Sequence, residues 1–287
     1  MFISKSYNFD ILAIDLLNII FRFIAINKKE DTETLYNKIS NNILYMKNIL
    51  GISNIENIIF LTDYNFVDNK KENIKSNSSK SYIKSSFYTD YKTNRKYNIS
   101  KENIIKIRNI VKKLSSTYKI LYANGYEADD LAGYIYLNNI NTNKKIAFYT
   151  TDKDWWQFIN KNNKVVINKD KTITFIDLTY SYNKLNFYIT QNNFILYKAL
   201  FGDNSDNIKV SYNKNKQIQV RDYLIENYKN FYNRELSKSV EEEKEFLNSI
   251  IKYLIENNLV DKEKLDLNIK LITPLNINNE NIKVIQI

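Results

Sequence analysis

Clusters of acidic side chains recur along this chain, and each follows an apolar run that is typical of a β-strand. The acids are Asp15, Asp63, Glu127, Asp129, Asp130, Asp152, Asp154, Asp203 and Asp206. Histidine and cysteine are absent from the sequence, which excludes imidazole and thiolate chemistry. Any catalysis must therefore use carboxylates, amines, hydroxyls or a bound ion. Oxygen ligands without softer partners favour Mg²⁺, with Mn²⁺ as a substitute.

An alternating α/β pattern would bring these acids together. Apolar runs predict strands at residues 10–14, 57–61, 119–123 and 145–149, a hairpin at 165–167 and 173–176, and helices at 35–50, 99–114, 129–138 and 154–159. This alternation is typical of a mostly parallel sheet with helices on both faces. Because ligands of open α/β sheets bind beyond the carboxyl ends of the strands, we expect the acids that follow the strands to converge at one edge.

Helix capping is the simpler explanation for any single acid after a strand. It does not explain four strand ends with acids, two of which continue as E-x-D-D and D-x-D. Unpaired carboxylates packed this closely would repel and raise one another's pKa, and a divalent cation would remove that repulsion. Two cations would use a ligand set of this size, and two-metal sites act on phosphodiesters.

The net charge of +10 is concentrated in one stretch of the chain. Residues 64–119 contain 14 Lys and Arg against 4 Asp and Glu, so this stretch carries the whole excess. A solvated lysine-rich helical face would explain the charge alone. A basic stretch beside an acidic pocket favours a phosphate polymer as the ligand. Residues 64–90 fit no periodicity and predict a mobile excursion.

The rest of the chain predicts a helical C-terminal part, clearest at 220–228 and 241–257. We therefore expect an α/β domain with the acid clusters at 1–205 and a helical region at 206–287. The most apolar N-terminal stretch, 9–26, is interrupted by charged residues, which excludes a membrane span or a signal sequence there. The absence of cysteine fits a reducing compartment, so we expect a cytoplasmic protein.

Several motifs resemble those of one known family. YEADDLAGYI, TTDKDWWQFI and YKALFGDNSDNI are similar to the central motifs of the flap endonuclease or 5′-nuclease family. That family includes the 5′-nuclease domain of bacterial DNA polymerase I and the bacteriophage 5′-exonucleases. LAIDLLNIIFRF resembles the family's first strand, with phage members the most similar, and DYKTNRK resembles its Y-K-x-N-R element. The resemblance runs from residue 10 to 210 and implies a PIN-like sheet, a basic helical arch at 64–119 and a bacteriophage source.

Carried over by position, the resemblance implies two metal sites and a set of DNA contacts. The first metal would be held by Asp15, Asp63, Glu127, Asp129 and Asp152, with Asp130 beside them, and the second by Asp154, Asp203 and Asp206. Lys92 and Arg95 would face the scissile phosphate and neutralise its developing charge. DNA contacts are expected from Tyr91, Arg22, Lys84, Lys96, Lys209 and Lys214, with a base stacked on Tyr91.

The sequence departs from the family in three places. Leu16 stands where the family usually has Gly, and the spacing between Asp63 and Tyr91 is longer than in compact phage members. After Asp206 the family has a Gly-rich helix–hairpin–helix turn that binds duplex phosphates and K⁺, whereas this chain reads NIKVSYNKNKQIQVR. Asn213 or Asn215 would have to adopt the left-handed turn, and lysines would replace the backbone contacts. Duplex affinity and K⁺ binding are left open.

The leading hypothesis is a Mg²⁺-dependent 5′-nuclease that hydrolyses DNA at 5′ single-stranded ends or flaps during replication, with RNA primers or RNA–DNA hybrids as further substrates. We expect a monomer with a polymerase or single-strand-binding protein as partner and no membrane contact. The alternatives are a PIN-type ribonuclease and a non-catalytic, structure-specific DNA-binding protein. A phosphatase of the haloacid dehalogenase type is disfavoured, because Leu17 stands where a second Asp is needed.

Overall fold

The computed structural model of the chain describes residues 7–63, 82–93, 100–169, 172–185, 187–232 and 239–285. Most of the predicted excursion lies outside these ranges, and so do Arg95 and Lys96.

A seven-stranded sheet lies at the centre of the described structure. Its strands are β1 (Ile11–Asp15), β2 (Ile58–Leu61), β3 (Lys119–Ala123), β4 (Ile146–Tyr149), β5 (Lys164–Lys169), β6 (Thr172–Ile176) and β7 (Ile282–Ile285). The order across the sheet is β6-β5-β4-β1-β2-β3-β7. The five inner strands run parallel, and the two edge strands are antiparallel to their neighbours. The predicted mostly parallel sheet is therefore confirmed.

Helices cover both faces of this sheet. The α-helices of the described ranges are α1 (Leu16–Ile26), α2 (Thr32–Leu50), α3 (Tyr82–Phe87), α4 (Lys101–Ser115), α5 (Ala128–Asn139), α6 (Leu178–Leu185), α7 (Gln191–Phe201), α8 (Gln217–Phe231), α9 (Val240–Glu256) and α10 (Lys262–Ile272). A 3₁₀ helix, Lys153–Phe158, follows β4. None of the helices in the described ranges is long and apolar enough to cross a membrane.

Alternation along β1 assigns its side chains to two cores. Leu12 and Ile14 pack with α1, α2 and α4 on one face, whereas Ala13 packs with α5 and the 3₁₀ helix on the other. Successive strand residues point to opposite faces, so a strand buried on both sides must be apolar throughout. The helix α4 lies inside the stretch assigned to the basic arch, yet its apolar face packs in the first of these cores.

A third core joins α7 with α8, α9 and α10 and also includes Tyr91. The C-terminal part is helical, as predicted, but its core begins before residue 205 because α7 belongs to it. The chain then returns to the sheet, where β7 pairs antiparallel with β3. The short run at 282–285 carries too little periodicity to predict this strand.

Candidate metal and nucleic-acid site

Asp15 is the last residue of β1 and the N-cap of α1, so the strand places its side chain at the carboxyl edge of the sheet. Its Oδ1 accepts a hydrogen bond from the Asn18 main-chain N–H at 3.1 Å, and its Oδ2 accepts one from the Thr150 hydroxyl at 3.0 Å. Burial and the Asp152 carboxylate raise the pKa of Asp15 to about 7, although both hydrogen bonds lower it. Asp15 is therefore costly to ionise without a nearby cation.

Asp63 follows β2 and connects that strand to the start of α5. Its Oδ1 accepts a hydrogen bond from the main-chain N–H of Ala128, the first residue of the helix, at 2.8 Å. Acids are favoured at this positive end of a helix. The contact brings Asp63 next to the E-x-D-D motif, which begins at the N-cap of α5.

Glu127, the N-cap of α5, is surrounded by buried hydrogen-bond donors. Its Oε1 is 2.7 Å from the Lys92 ammonium, and its Oε2 accepts a hydrogen bond from the Tyr91 hydroxyl at 3.0 Å. The Lys84 ammonium lies 3.8 Å from Oε2. Burial lowers the pKa of Lys84, but the carboxylates of Asp130 and Glu127 outweigh it and raise that pKa overall. The ammonium groups of Lys92 and Lys84 therefore compensate the negative charge of the Glu127 carboxylate.

Lys92 adopts an unusual backbone conformation, with a φ of +54°. Its main-chain N–H donates to the carbonyl of Asp206 at 2.8 Å, and its ammonium lies 3.8 Å from the Asp206 carboxylate. A left-handed non-glycine residue costs roughly 1–3 kcal/mol and is found most often where function requires the geometry. The backbone thus fixes the Lys92 ammonium between two acids of the site.

Asp130 has both carboxylate oxygens bound to other groups of the protein. One accepts from the Glu127 main-chain N–H at 3.0 Å; the other accepts from the Leu275 main-chain N–H at 2.8 Å and lies 3.1 Å from the Lys84 ammonium. A metal ion at Asp130 would have to share these oxygens with the groups that already bind them. As a metal ligand, Asp130 stays a prediction.

Asp129 lies in the first turn of α5 and Asp152 at the N-cap of the 3₁₀ helix, and their charges interact. Burial and the Asp152 carboxylate raise the pKa of Asp129 well above its usual range. The Oδ1 of Asp129 accepts a hydrogen bond from the Trp155 indole N–H at 2.6 Å. Asp152 caps the 3₁₀ helix by accepting from the Asp154 main-chain N–H at 3.0 Å.

A second group of acids consists of Asp154, Asp203 and Asp206, which we call the triad. One carboxylate oxygen from each lies within 4.8 Å of the others. The turn that carries two of them starts at Gly202, with a φ of +74°, where an added Cβ would lie 2.7 Å from the Ile208 carbonyl oxygen. A glycine is needed there for both reasons.

The Lys198 ammonium of α7 contacts two members of the triad, Asp154 and Asp203. Burial raises the pKa of Asp154 to about 6, even though Lys198 lowers it. Burial also raises the pKa of Asp203, but Lys198 and Ser205 outweigh that effect and hold it at about 2. The Lys198 ammonium therefore supplies a positive charge beside the triad.

Residues 10–186 match the family model of the 5′-3′ exonuclease N-terminal, resolvase-like domain. This chain belongs to that family. DNA polymerase I of Lactococcus lactis subsp. lactis is 32% identical over 138 residues, which are 47% of this chain and 16% of the polymerase. DNA polymerase I of Caldicellulosiruptor bescii is 36% identical over 133 residues, 42% of this chain and 14% of the polymerase. This member of the exonuclease family thus matches only a small part of these curated relatives.

Solved structures of a bacteriophage T5 protein share the fold of this exonuclease-family chain. The T5 D15 protein co-crystallised with metal ions aligns with a TM-score of 0.63 at 17% identity, covering 92% of this chain and 89% of that one. The T5 D15 flap endonuclease in a pseudo-enzyme-product complex with DNA and metal ions aligns with a TM-score of 0.63 at 18% identity, covering 92% and 88%. The predicted PIN-like architecture is confirmed, and so is the predicted 5′-3′ exonuclease family.

The acids of this 5′-3′ exonuclease domain fit divalent cations by their chemistry. Every predicted ligand is a carboxylate, as hard cations prefer. Burial and neighbouring carboxylates raise the pKa of Asp15, Asp129 and Asp154, so the protein's own charges leave repulsion that a cation would relieve.

The predicted DNA-contacting residues are placed in different surroundings. Tyr91 is 1% exposed, and its ring offers no face to a base in this structure. Lys84 is buried among the acids, and Arg22 donates to the Asn168 carbonyl at 2.6 Å. Lys209 and Lys214 are exposed near a turn where Asn215 has a φ of +67°, so an asparagine does supply the left-handed residue. Their DNA contacts stay predictions, as do those of Arg95 and Lys96, which lie outside the described residues.

Two functional candidates were not found from the sequence alone. Lys198 lies in the YKALFGD motif five residues before Asp203, and only the turn at Gly202 brings its ammonium back to the acid. Trp155 is fully buried in the core, and its indole N–H also reaches Asp129. A lysine one helical turn before an acidic turn is a weak signal for the first contact, and no local pattern predicts the second.

Proposed function

We propose that this chain is a nuclease that uses two divalent cations, Mg²⁺ in the cell, to hydrolyse phosphodiesters at the 5′ ends of DNA. The observation that carries the proposal is the convergence of two groups of carboxylates at the carboxyl edge of the parallel strands. One ion would be held by Asp15, Asp63, Glu127, Asp129 and Asp152, and the other by Asp154, Asp203 and Asp206. Bound divalent ions stabilise negative charge on a phosphate and lower the pKa of a coordinated water.

The side chains of the site divide the remaining work. Lys92 is held between Glu127 and Asp206 by its own backbone, so its ammonium can neutralise charge that develops on the phosphate without first reorganising. Arg95, three residues further on, is proposed for the same role. Thr150 and Asn18 orient Asp15 through its two oxygens.

The substrate proposed is DNA with a 5′ single-stranded end or flap, cut to leave a 5′-phosphate and a 3′-hydroxyl. The basic stretch 64–119 would follow the phosphate backbone, so binding should weaken steeply as salt is raised. The T5 flap endonuclease complex with DNA and metal ions supports this choice. RNA primers, a polymerase or single-strand-binding partner, a monomeric state and a cytoplasmic location belong to the same proposal. K⁺ binding at the turn before α8 does not, because the glycines are missing.

Cleavage of a 5′-flap substrate by Asp152→Asn tests the proposal. Asparagine can still cap the 3₁₀ helix, so the change removes charge while preserving the cap. We expect cleavage in Mg²⁺ to fall at least about 100-fold, because a direct ligand is lost. The matched control is Asp31→Asn, the same change at the exposed N-cap of α2, which should cut as the wild type does. Wild-type protein that binds flap DNA in Mg²⁺ without cutting it would contradict the proposal and favour the non-catalytic alternative.

A further inference from the structure

The Trp155 indole combines full burial with a polar contact to the metal site. The residue is 0% exposed and packs edge-on against Phe148 at 5.7 Å and Phe158 at 6.4 Å. Its Nε1 donates to Oδ1 of Asp129 at 2.6 Å. An apolar side chain could fill the same space in the core, so packing alone does not account for the N–H group.

A buried N–H is stabilising only when it has a partner, because an unmade hydrogen bond costs roughly 1–3 kcal/mol. Here the partner is a carboxylate, and hydrogen bonds to charged groups are the stronger kind. Asp129 in turn receives no other hydrogen bond from the part of the chain that the structure describes. Its second oxygen is thereby left available, while the first is fixed in direction.

The contact also joins two elements that each supply acids to the site. Trp155 lies on the 3₁₀ helix, directly after Asp154 and three residues after the cap Asp152, whereas Asp129 lies in the first turn of α5. Like charges on these two elements repel. The indole N–H links the elements through a neutral donor, which adds no charge of its own to the site.

We infer that Trp155 is a positioning residue for the metal ligand Asp129, holding one carboxylate oxygen so that the other faces the bound cation. The inference rests on the proposed function, since it assumes that Asp129 binds a divalent ion. Outer hydrogen-bond partners of ligands typically contribute about 10- to 100-fold to metal affinity or activity.

The chain offers a matched control in the neighbouring residue. It has two tryptophans, and the second, Trp156, packs edge-on against Tyr180 at 6.0 Å. Its Nε1 has no hydrogen-bond partner among the described residues. Replacing either indole by phenylalanine removes the same atoms, but only one replacement removes a contact to a ligand.

Mg²⁺ binding to Trp155→Phe and Trp156→Phe, measured by titration calorimetry, tests the inference. We expect Mg²⁺ to bind Trp155→Phe about 10- to 100-fold more weakly than wild type, in line with a lost outer partner. Trp156→Phe should bind Mg²⁺ as the wild type does. Phe158→Leu serves as a packing control, because Phe158 is equally buried and has no polar atom. Equal losses in Trp155→Phe and Phe158→Leu, or no loss in Trp155→Phe, would overturn the inference.

Fluorescence provides a second test that does not depend on folding of the Trp155 variant. In Trp156→Phe, Trp155 is the sole tryptophan emitter, and Mg²⁺ should shift its emission because the charge of its hydrogen-bond partner is neutralised. Adding Asp129→Asn should abolish the shift. Emission that does not respond while calorimetry records binding would refute the inference. Wild-type protein that neither binds Mg²⁺ nor cuts DNA would instead refute the proposed function.

Discussion

Asp15 and Asp203 are both acids of the proposed site, but the protein treats their charges in opposite ways. Among the described residues, the hydrogen-bond donors to Asp15 are neutral, and its pKa is raised to about 7. Asp203 contacts the Lys198 ammonium and has its pKa held at about 2. Both carboxylates are withdrawn from water, so the difference comes from the partners. At Asp15 the neutral donors do not offset burial next to another carboxylate, whereas at Asp203 the Lys198 ammonium and the Ser205 donors together outweigh burial.

The comparison indicates how each region depends on a divalent ion. Around Asp15, ionisation at neutral pH is unfavourable until a cation arrives, so metal binding should displace protons there. In the triad, Lys198 already supplies a charge, and a metal ion has to compete with it. The first region should therefore gain the most stability from Mg²⁺, and the second the least.

The largest expected effect is a pH dependence of stability in protein without divalent ions. The pKa of Asp15 is raised from 3.8 to about 7 in the folded state, so the folded protein retains a proton that the unfolded chain loses. The free energy of unfolding should fall as pH rises from 4 to 7, by up to about 4 kcal/mol for this group. Asp15→Asn should remove that part of the slope, as measured by urea unfolding in EDTA at several pH values.

The control for this slope is Asp31, whose pKa is lowered by the main-chain N–H of Thr34. Its contribution to stability should be present at neutral pH and be lost as pH falls, the opposite sign to Asp15. If the free energy of unfolding depends on pH equally in the wild type and in Asp15→Asn in EDTA, the neutral donors offset the burial of the Asp15 carboxylate. The contrast with Asp203 would then be lost.

Removing the internal cation of the triad should have the next largest effect. Lys198→Met leaves two partly buried carboxylates without their ammonium, which should cost about 3 kcal/mol of stability in EDTA. Mg²⁺ should restore much of this loss, because the competing charge is gone. Lys38→Met, which breaks the more exposed pair with Glu30, should change stability by less than about 1 kcal/mol. A loss in Lys198→Met that is the same in Mg²⁺ and EDTA would mean that Lys198 does not share the site with the ion.

Removing a single hydroxyl donor should have the smallest effect on stability, and it compares Asp15 directly with Asp203. Thr150→Val removes the fully buried donor to Asp15 and should cost about 2 kcal/mol above pH 7 while raising the pKa of Asp15 further. Ser205→Ala removes one donor to Asp203 and should cost about 1 kcal/mol or less, because Lys198 and the Ser205 main-chain N–H remain. The two variants can be compared by urea unfolding at pH 8 in EDTA. A larger loss for Ser205→Ala would reverse the proposed order of the two regions.

The sequence alone was sufficient to predict the structural features that depend on a single segment of the chain. The apolar runs predicted every inner strand, because a strand covered on both faces is apolar over most of its length. Because β1, β2, β3 and β4 run in one direction, the acids that follow them lie at the same carboxyl edge. The 3.6-residue spacing of Leu35, Ile39, Ile43 and Leu50 likewise predicted α2 and its buried face.

Tertiary structure decided every feature that depends on two distant segments. The burial of Tyr91 and Lys84 among the acids, the Lys198 ammonium in the triad and the Trp155 contact to Asp129 each join residues on separate elements. The return of β7 to the sheet joins residues far apart along the chain. Residue type and spacing thus determined which acids meet at the carboxyl edge of the sheet, because each of them directly follows a strand in the sequence. Which charges are neutralised was decided by packing, because a counter-charge or donor can come from any part of the chain that the fold brings near.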